Sequence, residues 1–139
     1  LPLLLLADES KQQVRGYLQD GMLFVANDMG RDLGIVLAIP IDRAEIELKA
    51  VAVDPARHNR GIGTRMLALV VVELRNQGYL RAVVGTGNSG IGQLAFYQKA
   101  GFRLWKIERD YFSPERGYPA DIEENGIPLR DMVWLDREL

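Results

Sequence analysis

Cysteine is absent from the 139 residues, and histidine occurs once. The first absence removes disulfides, thiolate metal sites and cysteine nucleophiles together. The second rules out a multi-histidine metal site and argues against a Ser-His triad, so no metal is expected. No apolar run reaches the ~18 residues that suggest a membrane span. The leucines at 1 and 3–6 are too few, and no basic region or small-residue cleavage site marks a signal peptide. Neither sign of charge dominates: 17 basic against 19 acidic residues give a net charge of −2 and a pI near 5.4, which argues against a general nucleic-acid surface. Internal repeats and low-complexity segments are also missing. What remains is the expectation of a soluble, cytoplasmic single domain over residues 1–139, with 47% hydrophobic residues to build its core. Residue 1 is not Met, so truncation of an N-terminal strand stays open.

Apolar periodicity, with glycine and proline as punctuation, divides the chain. Residues 1–7 read as a short strand or as the tail of a helix. Asp8, Glu9 and Ser10 resemble a helix N-terminus, and Val14, Tyr17 and Leu18 give an i, i+3, i+4 stripe ended by Gly21. Strands are expected at 22–26 and 33–39, with a hairpin turn over 27–32, and a third strand at 44–53. In that third strand Glu45, Glu47 and Lys49 alternate with Ile46, Leu48 and Ala50, the period of a strand with unlike faces. The three strands predict an antiparallel meander.

Residues 61–77 form the longest helical pattern. Ile62, Met66, Leu69, Val70 and Leu74 mark its apolar face, and Arg65, Glu73, Arg75 and Asn76 its polar one. Val70–Val72 is poor helix material, so burial must override propensity there. Gly78 suits the C-terminal cap. A strand at 79–84, a glycine-rich turn at 85–90, a helix at 91–100 stopped by Gly101 and a strand at 102–107 follow. Residues 110–128 read as one long loop, and 129–136 as the last strand. Antiparallel strands followed by βα units make the class α+β, or mixed α/β.

Two glycine motifs compete for a ligand. The first lies in VAVDPARHNRGIGT, residues 51–64, which runs from a strand through the Asp54-Pro55 turn signal into the long helix. Gly61 and Gly63 would let backbone N–H groups approach a ligand closely. The first N–H groups of a helix lack intrahelical partners and carry partial positive charge, which suits a phosphate. The alternative is an ordinary strand-to-helix loop with arginines for solubility. The second motif is GTGNSG at 85–90, which satisfies G-x-G-x-x-G between strand and helix, with Glu108 or Asp110 some 20 residues on. That is formally a dinucleotide fingerprint. Only about 50 residues follow it, though, and a meander rather than a βαβ unit precedes it, so it reads as a decoy.

Taken together, residues 51–64 and GTGNSGIGQLAFYQKAGFR resemble the GNAT superfamily of N-acetyltransferases. HNRGIG at 58–63 matches the family's coenzyme A pyrophosphate motif, and FYQKAGF at 96–102 matches its L-Y-x-K-x-G-F ending. His58 stands where the family usually has Gln or Arg. Gly90 stands where an Asn is often found seven residues before the motif tyrosine, leaving Asn88 or Ser89 as the neighbouring contact. The resemblance implies the GNAT fold, a central, mostly antiparallel twisted sheet flanked by helices. It also implies transfer of an acetyl group from acetyl-CoA to a primary amine by direct attack on the thioester.

By similarity, the backbone N–H groups of His58, Asn59, Arg60, Gly61, Ile62, Gly63 and Thr64 would hold the pyrophosphate, with Arg57 and Arg60 adding charge. The backbone of Val51, Ala52 and Val53 would pair with the pantetheine arm, and an N–H such as that of Val53 would face the thioester oxygen. Tyr97 would lie by the sulfur as general acid, since a phenol of pKa ~10 keeps its proton at neutral pH. Its alternative is a core aromatic. An alkyl amine of pKa ~10.4 must lose a proton before attack. Glu47, the central residue of its strand face, is the candidate base; a water chain or a plain solvated Glu–Lys face are the alternatives. Tyr111, Phe112, Tyr118, Asp121, Glu123 and Glu124 in the 110–128 segment would suit a cationic acceptor, or form an acidic surface loop. The expected partners are a small-molecule or peptide amine and a second copy in a homodimer, with no nucleic acid or membrane. The rival functions are a non-catalytic acyl-CoA-binding sensor of the same fold, and a small NAD-type protein using Gly85, Gly87 and Gly90.

Overall fold

A computed structural model describes residues 4–9, 21–28, 30–54 and 61–139. Two compact units divide the chain: Leu1–Ala82 with Glu138–Leu139, and Val83–Arg137.

Among its described residues, the first unit is a four-stranded antiparallel meander with one helix. Its strands are β1 (Leu4–Glu9), β2 (Met22–Asp28), β3 (Arg31–Pro40) and β4 (Glu45–Val53), paired in that order. Asp8 and Glu9 lie inside β1, opposite Leu23 and Met22, not at a helix start. The expected stripe of Val14, Tyr17 and Leu18 falls outside the described residues. The β2–β3 turn is tight: Asp28 pairs Arg31, and the Asn27 side chain accepts from the Gly30 N–H at 3.0 Å. Helix α1 (Ile62–Asn76) buries Ile62, Met66, Leu67, Val70, Val71 and Leu74. Leu69, expected on that face, is 39% exposed. Val72 is exposed too, so only Val70 and Val71 of the valine run gain burial to offset their poor propensity. Gly34 lets the helix settle. A Cβ there would meet the Ala52 carbonyl oxygen at 2.7 Å and the Met66 sulfur at 3.1 Å.

The alternation of β4 holds only as far as Leu48. Leu37 pairs Ala50 while Ala38 pairs Leu48, so Lys49 is the extra residue of a β-bulge. Ile46 and Leu48 are buried before it, whereas Lys49 and Ala50 are both exposed. The side-chain period is therefore offset by one residue beyond Lys49.

The second unit holds β5 (Arg81–Gly87), which begins at the boundary, then α2 (Ile91–Lys99), β6 (Arg103–Glu108), the two-residue strands β7 (Glu123–Glu124) and β8 (Ile127–Pro128), and β9 (Met132–Glu138). Its sheet order is β5-β9-β6, with β6 antiparallel to β9. Gly85 and Gly87, expected in a turn, belong to the strand. A Cβ on Gly85 would meet the Met132 sulfur and the Trp134 ring at 2.9 Å, and one on Gly87 would overlap the Leu129 side chain. The 110–128 segment is not structureless. Pro114–Arg116 forms one 3-10 turn, and β7 and β8 form a hairpin through Asn125-Gly126, both at positive φ (57° and 73°). That geometry is the two-residue hairpin turn that Asn-Gly favours.

Candidate active site

Helix α1 starts without a capping side chain. Its N-cap is Gly61 at φ 72°, ψ 10°, a left-handed conformation that costs any other L-residue roughly 1–2 kcal/mol. Among the described residues no side chain caps the first-turn amides, and no acid lies in that turn. The first intrahelical bond is Arg65 N–H to Gly61 O at 3.0 Å, so the amides of Ile62, Gly63 and Thr64 precede the helical ladder. Among the described residues, nothing lies within 4 Å of a Cβ placed on Gly61. An anion at such an end gains about 0.3–1 kcal/mol from the helix dipole, and up to ~2 where partly buried. Arg57, His58, Asn59 and Arg60 lie outside the described residues.

The backbone of Val51–Val53 is bonded to β3 along one edge, with Val51 opposite Val36, Ala52 opposite Ile35 and Val53 opposite Gly34. Two residues before the bulge, Glu47 is half-buried and lies 3.8 Å from the Lys49 ammonium, a loose pair. Glu45 makes the closer one, 2.8 Å to the Arg81 guanidinium. Glu47 is thus the less committed carboxylate of the two.

Tyr97 is the one buried residue of α2. Phe96 and Phe102 meet its ring edge-on at 5.2 and 5.9 Å. The helix ends two residues after it, at Lys99. Phe102 N–H bonds Tyr97 O at 3.0 Å, and the Arg137 guanidinium donates to Ala100 O at 2.6 Å, so the turn carrying Tyr97 is fixed from both sides. Loss of solvent pushes the phenol pKa up from 10.0 to about 12. Tyr97 therefore holds its proton firmly. Complete transfer to a thiolate, whose conjugate acid lies near pKa ~8.5, would run uphill by roughly 5 kcal/mol, so the phenol acts best as a hydrogen-bond donor to developing charge.

Asn88 was expected to contact the cofactor, but its side chain is already committed. Its carbonyl accepts the N–H groups of Arg130 and Asp131 at 2.8 and 2.9 Å, and its NH₂ donates to Pro128 O at 3.0 Å. Its own N–H donates to Asp131 O. Ser89 is fully buried, its hydroxyl 3.3 Å from Glu124 and its carbonyl held by the Asn125 amide at 2.8 Å. Both residues staple the start of α2 to the 122–131 segment. Sequence reasoning missed this staple, although Asn125-Gly126 was a readable hairpin signal. The aromatic group is likewise filled from within: Tyr111, Phe112 and Tyr118 pack on one another, and the cation over Tyr111 is the chain's own Arg116, at 4.1 Å.

Residues 19–104 match the acetyltransferase (GNAT) domain family. The chain belongs to the GNAT acetyltransferases. Its fold, an α+β arrangement of a largely antiparallel sheet with helices, is theirs. The chain is 37% identical over 137 residues to the uncharacterized N-acetyltransferase YvbK of Bacillus subtilis, covering 99% of this chain and 87% of that one. A GNAT acetyltransferase of Elizabethkingia anophelis, solved with acetyl-CoA bound, is 40% identical with TM-score 0.83, covering 96% of this chain and 86% of that one. A Bacillus subtilis acetyltransferase in complex with CoA is 35% identical with TM-score 0.82 at the same coverages. GNAT membership accounts for the motif at 58–63, while the glycines at 85–90 serve packing, which removes the reason for a dinucleotide reading. Among the described residues, no helix is long and apolar enough to cross a membrane.

Proposed function

We propose that this GNAT protein moves the acetyl group of acetyl-CoA to a primary amine by direct attack of the amine on the thioester. The observation that carries the reading is the left-handed start of α1 at Gly61, which no described side chain caps or crowds, in a chain whose neighbours at 35–40% identity hold CoA and acetyl-CoA. In this reading the amides from His58 to Thr64 hold the pyrophosphate. The pantetheine arm lies along the backbone of Val51–Val53 like an added strand, and an N–H of that stretch faces the thioester oxygen.

Attack forms a C–N bond and leaves the thioester carbon tetrahedral, with negative charge on its oxygen. Collapse breaks the C–S bond. Tyr97 donates a hydrogen bond to the departing sulfur, and Glu47, directly or through water, takes the proton that the amine must lose. The acceptor is a small molecule or peptide with a primary amine. The internally filled aromatic group gives no support to an aromatic cage for it.

Thermal shift with acetyl-CoA tests binding, because a ligand of the native state raises the melting temperature by mass action. A rise with acetyl-CoA and none with NAD is expected; the reverse would end the proposal. Thiol release against a panel of polyamines, aminoglycosides, amino acids and peptides then separates transfer from sensing. If no amine accelerates release, and Tyr97→Phe leaves basal thioester hydrolysis untouched, the chain is a sensor.

A further inference from the structure

Residues 97–102, YQKAGF, fold as a single cap on the end of α2. Gly101 adopts φ 94°, in the left-handed region. Its N–H donates to Gln98 O at 3.0 Å, and the Phe102 N–H donates to Tyr97 O at 3.0 Å. Those two nested bonds, with Phe102 packed against the Tyr97 ring, make a Schellman motif. Tyr97 is the residue on which that motif closes. The last carbonyls of a helix carry partial negative charge and need donors from outside it. That of Ala100 takes the Arg137 guanidinium at 2.6 Å, from 37 positions further along the chain. The strand period puts Arg137 on the same face of β9 as the fully buried Leu135. The guanidinium also lies against Gly101, where a Cβ would sit 3.2 Å from its Cζ and Nη1 and 3.4 Å from its Nε. Glycine at 101 therefore serves the backbone turn and leaves a seat for the planar cation.

We propose that Arg137 is a positioning residue for acetyl transfer: by tying down the Ala100 carbonyl it fixes the end of α2, and with it the place of the Tyr97 phenol. This rests on the reading in which Tyr97 donates a hydrogen bond to the departing sulfur. Arg137 acts through the cap and not on the reacting atoms. Helix ends fray, and Tyr97 stands in the last turn of a helix of nine residues. A displacement of ~1 Å at a reacting group can cost on the order of 100-fold in rate. The rings of Phe96 and Phe102 pack on the phenol, but both belong to α2 or its cap and move with it. Arg137 belongs to the sheet, so it is the contact that ties the cap to a different element.

Thiol release from acetyl-CoA by the whole chain, to a panel amine or to water, tests it. Arg137→Ala should lower kcat about tenfold and change KM for acetyl-CoA by less than about twofold. Arg137→Lys, which keeps a charged donor, should recover most of the rate. In a Tyr97→Phe background Arg137→Ala should cost nothing further, because the group it positions is gone. An arginine that only stabilised the fold would cost the same factor in both backgrounds. Melting curves set an assay temperature at which every variant is folded, and Arg137→Gln takes the place of Arg137→Ala if the latter does not fold. Equal losses in the two backgrounds, or an Arg137→Lys no faster than Arg137→Ala, would overturn the proposal. Wild-type kcat in Arg137→Ala with a slow Tyr97→Phe would overturn it and leave the phenol's role standing. Wild-type kcat in Tyr97→Phe would overturn both.

Discussion

Helix α1 begins at Gly61 and helix α2 at Gly90, and among the described residues neither has a capping side chain. The sequence around each looks suited to a phosphate. Gly61 adopts φ 72° with no described residue within 4 Å of where a side chain would start. Before α2, Gly85 and Gly87 lie under Met132, Trp134 and Leu129, and a Cβ on Gly90 would sit 2.9 Å from the Gln93 side chain. The turn between is stitched by Asn88 and Ser89 to the 122–131 segment. Among the described residues, one helix start has no neighbour beside its glycine; the other is filled with protein. A glycine pattern is therefore ambiguous until it is known whether the missing side chain makes room for a ligand or for a neighbour.

Substitutions at the two helix starts should separate cleanly. Gly87→Val is expected to act most strongly, costing about 3 kcal/mol or more through overlap with Leu129, or preventing folding; urea denaturation reads it. Asn88→Ala removes one acceptor of two amides and one donor, and should cost about 2–3 kcal/mol in the same assay. If it proved neutral, the staple would be ornamental.

The helix carrying Tyr97 has a pH signature. Its folded pKa, about 12, lies above the unfolded value of 10.0. Below pH ~10 both states keep the proton, and stability does not change on this account. Above it the unfolded state ionises first, so stability falls as pH rises towards the folded pKa, by about 2 kcal/mol at pH 12. Melts in steps from pH 9 to 12 should show that loss in the wild type and a shallower one in Tyr97→Phe; identical slopes would mean the phenol is solvated.

Gly61→Glu should be the mildest for the fold, about 1–2 kcal/mol from the left-handed backbone alone. Its carboxylate should nevertheless weaken acetyl-CoA binding about tenfold or more. Unchanged affinity would remove the contrast between the two helix starts.

Much of this architecture was readable. The strands bounded by turn residues at 27–32 and by Pro40, the alternation from Glu45 to Leu48, the amphipathic run from Ile62 to Leu74 and the glycine stop at 101 are local patterns, and local patterns survive folding. What was misread depends on distant neighbours. Asp8 and Glu9 have the composition of a helix start but pair with Leu23 and Met22. Gly85 and Gly87 extend β5 because side chains more than 40 residues later need their space. Asn88 resembled a ligand contact, and only the return of residues 128–131 shows its atoms already spent. The motif tyrosine was legible as a residue; its burial was not, because that depends on Phe96, Phe102 and the arginine at 137.

The bulge at Lys49 gives β4 two reading frames. Glu47 belongs to one and Val51–Val53 to the other, and a single residue of slack joins them. Excising Lys49 would straighten the strand without noticeably shortening it. Every side chain on one flank would then swap faces, exchanging valines for solvent, or Ile46 and Leu48 for glutamates, in the interior. A one-residue deletion at that place should therefore be far more damaging than changing Lys49 to any other amino acid.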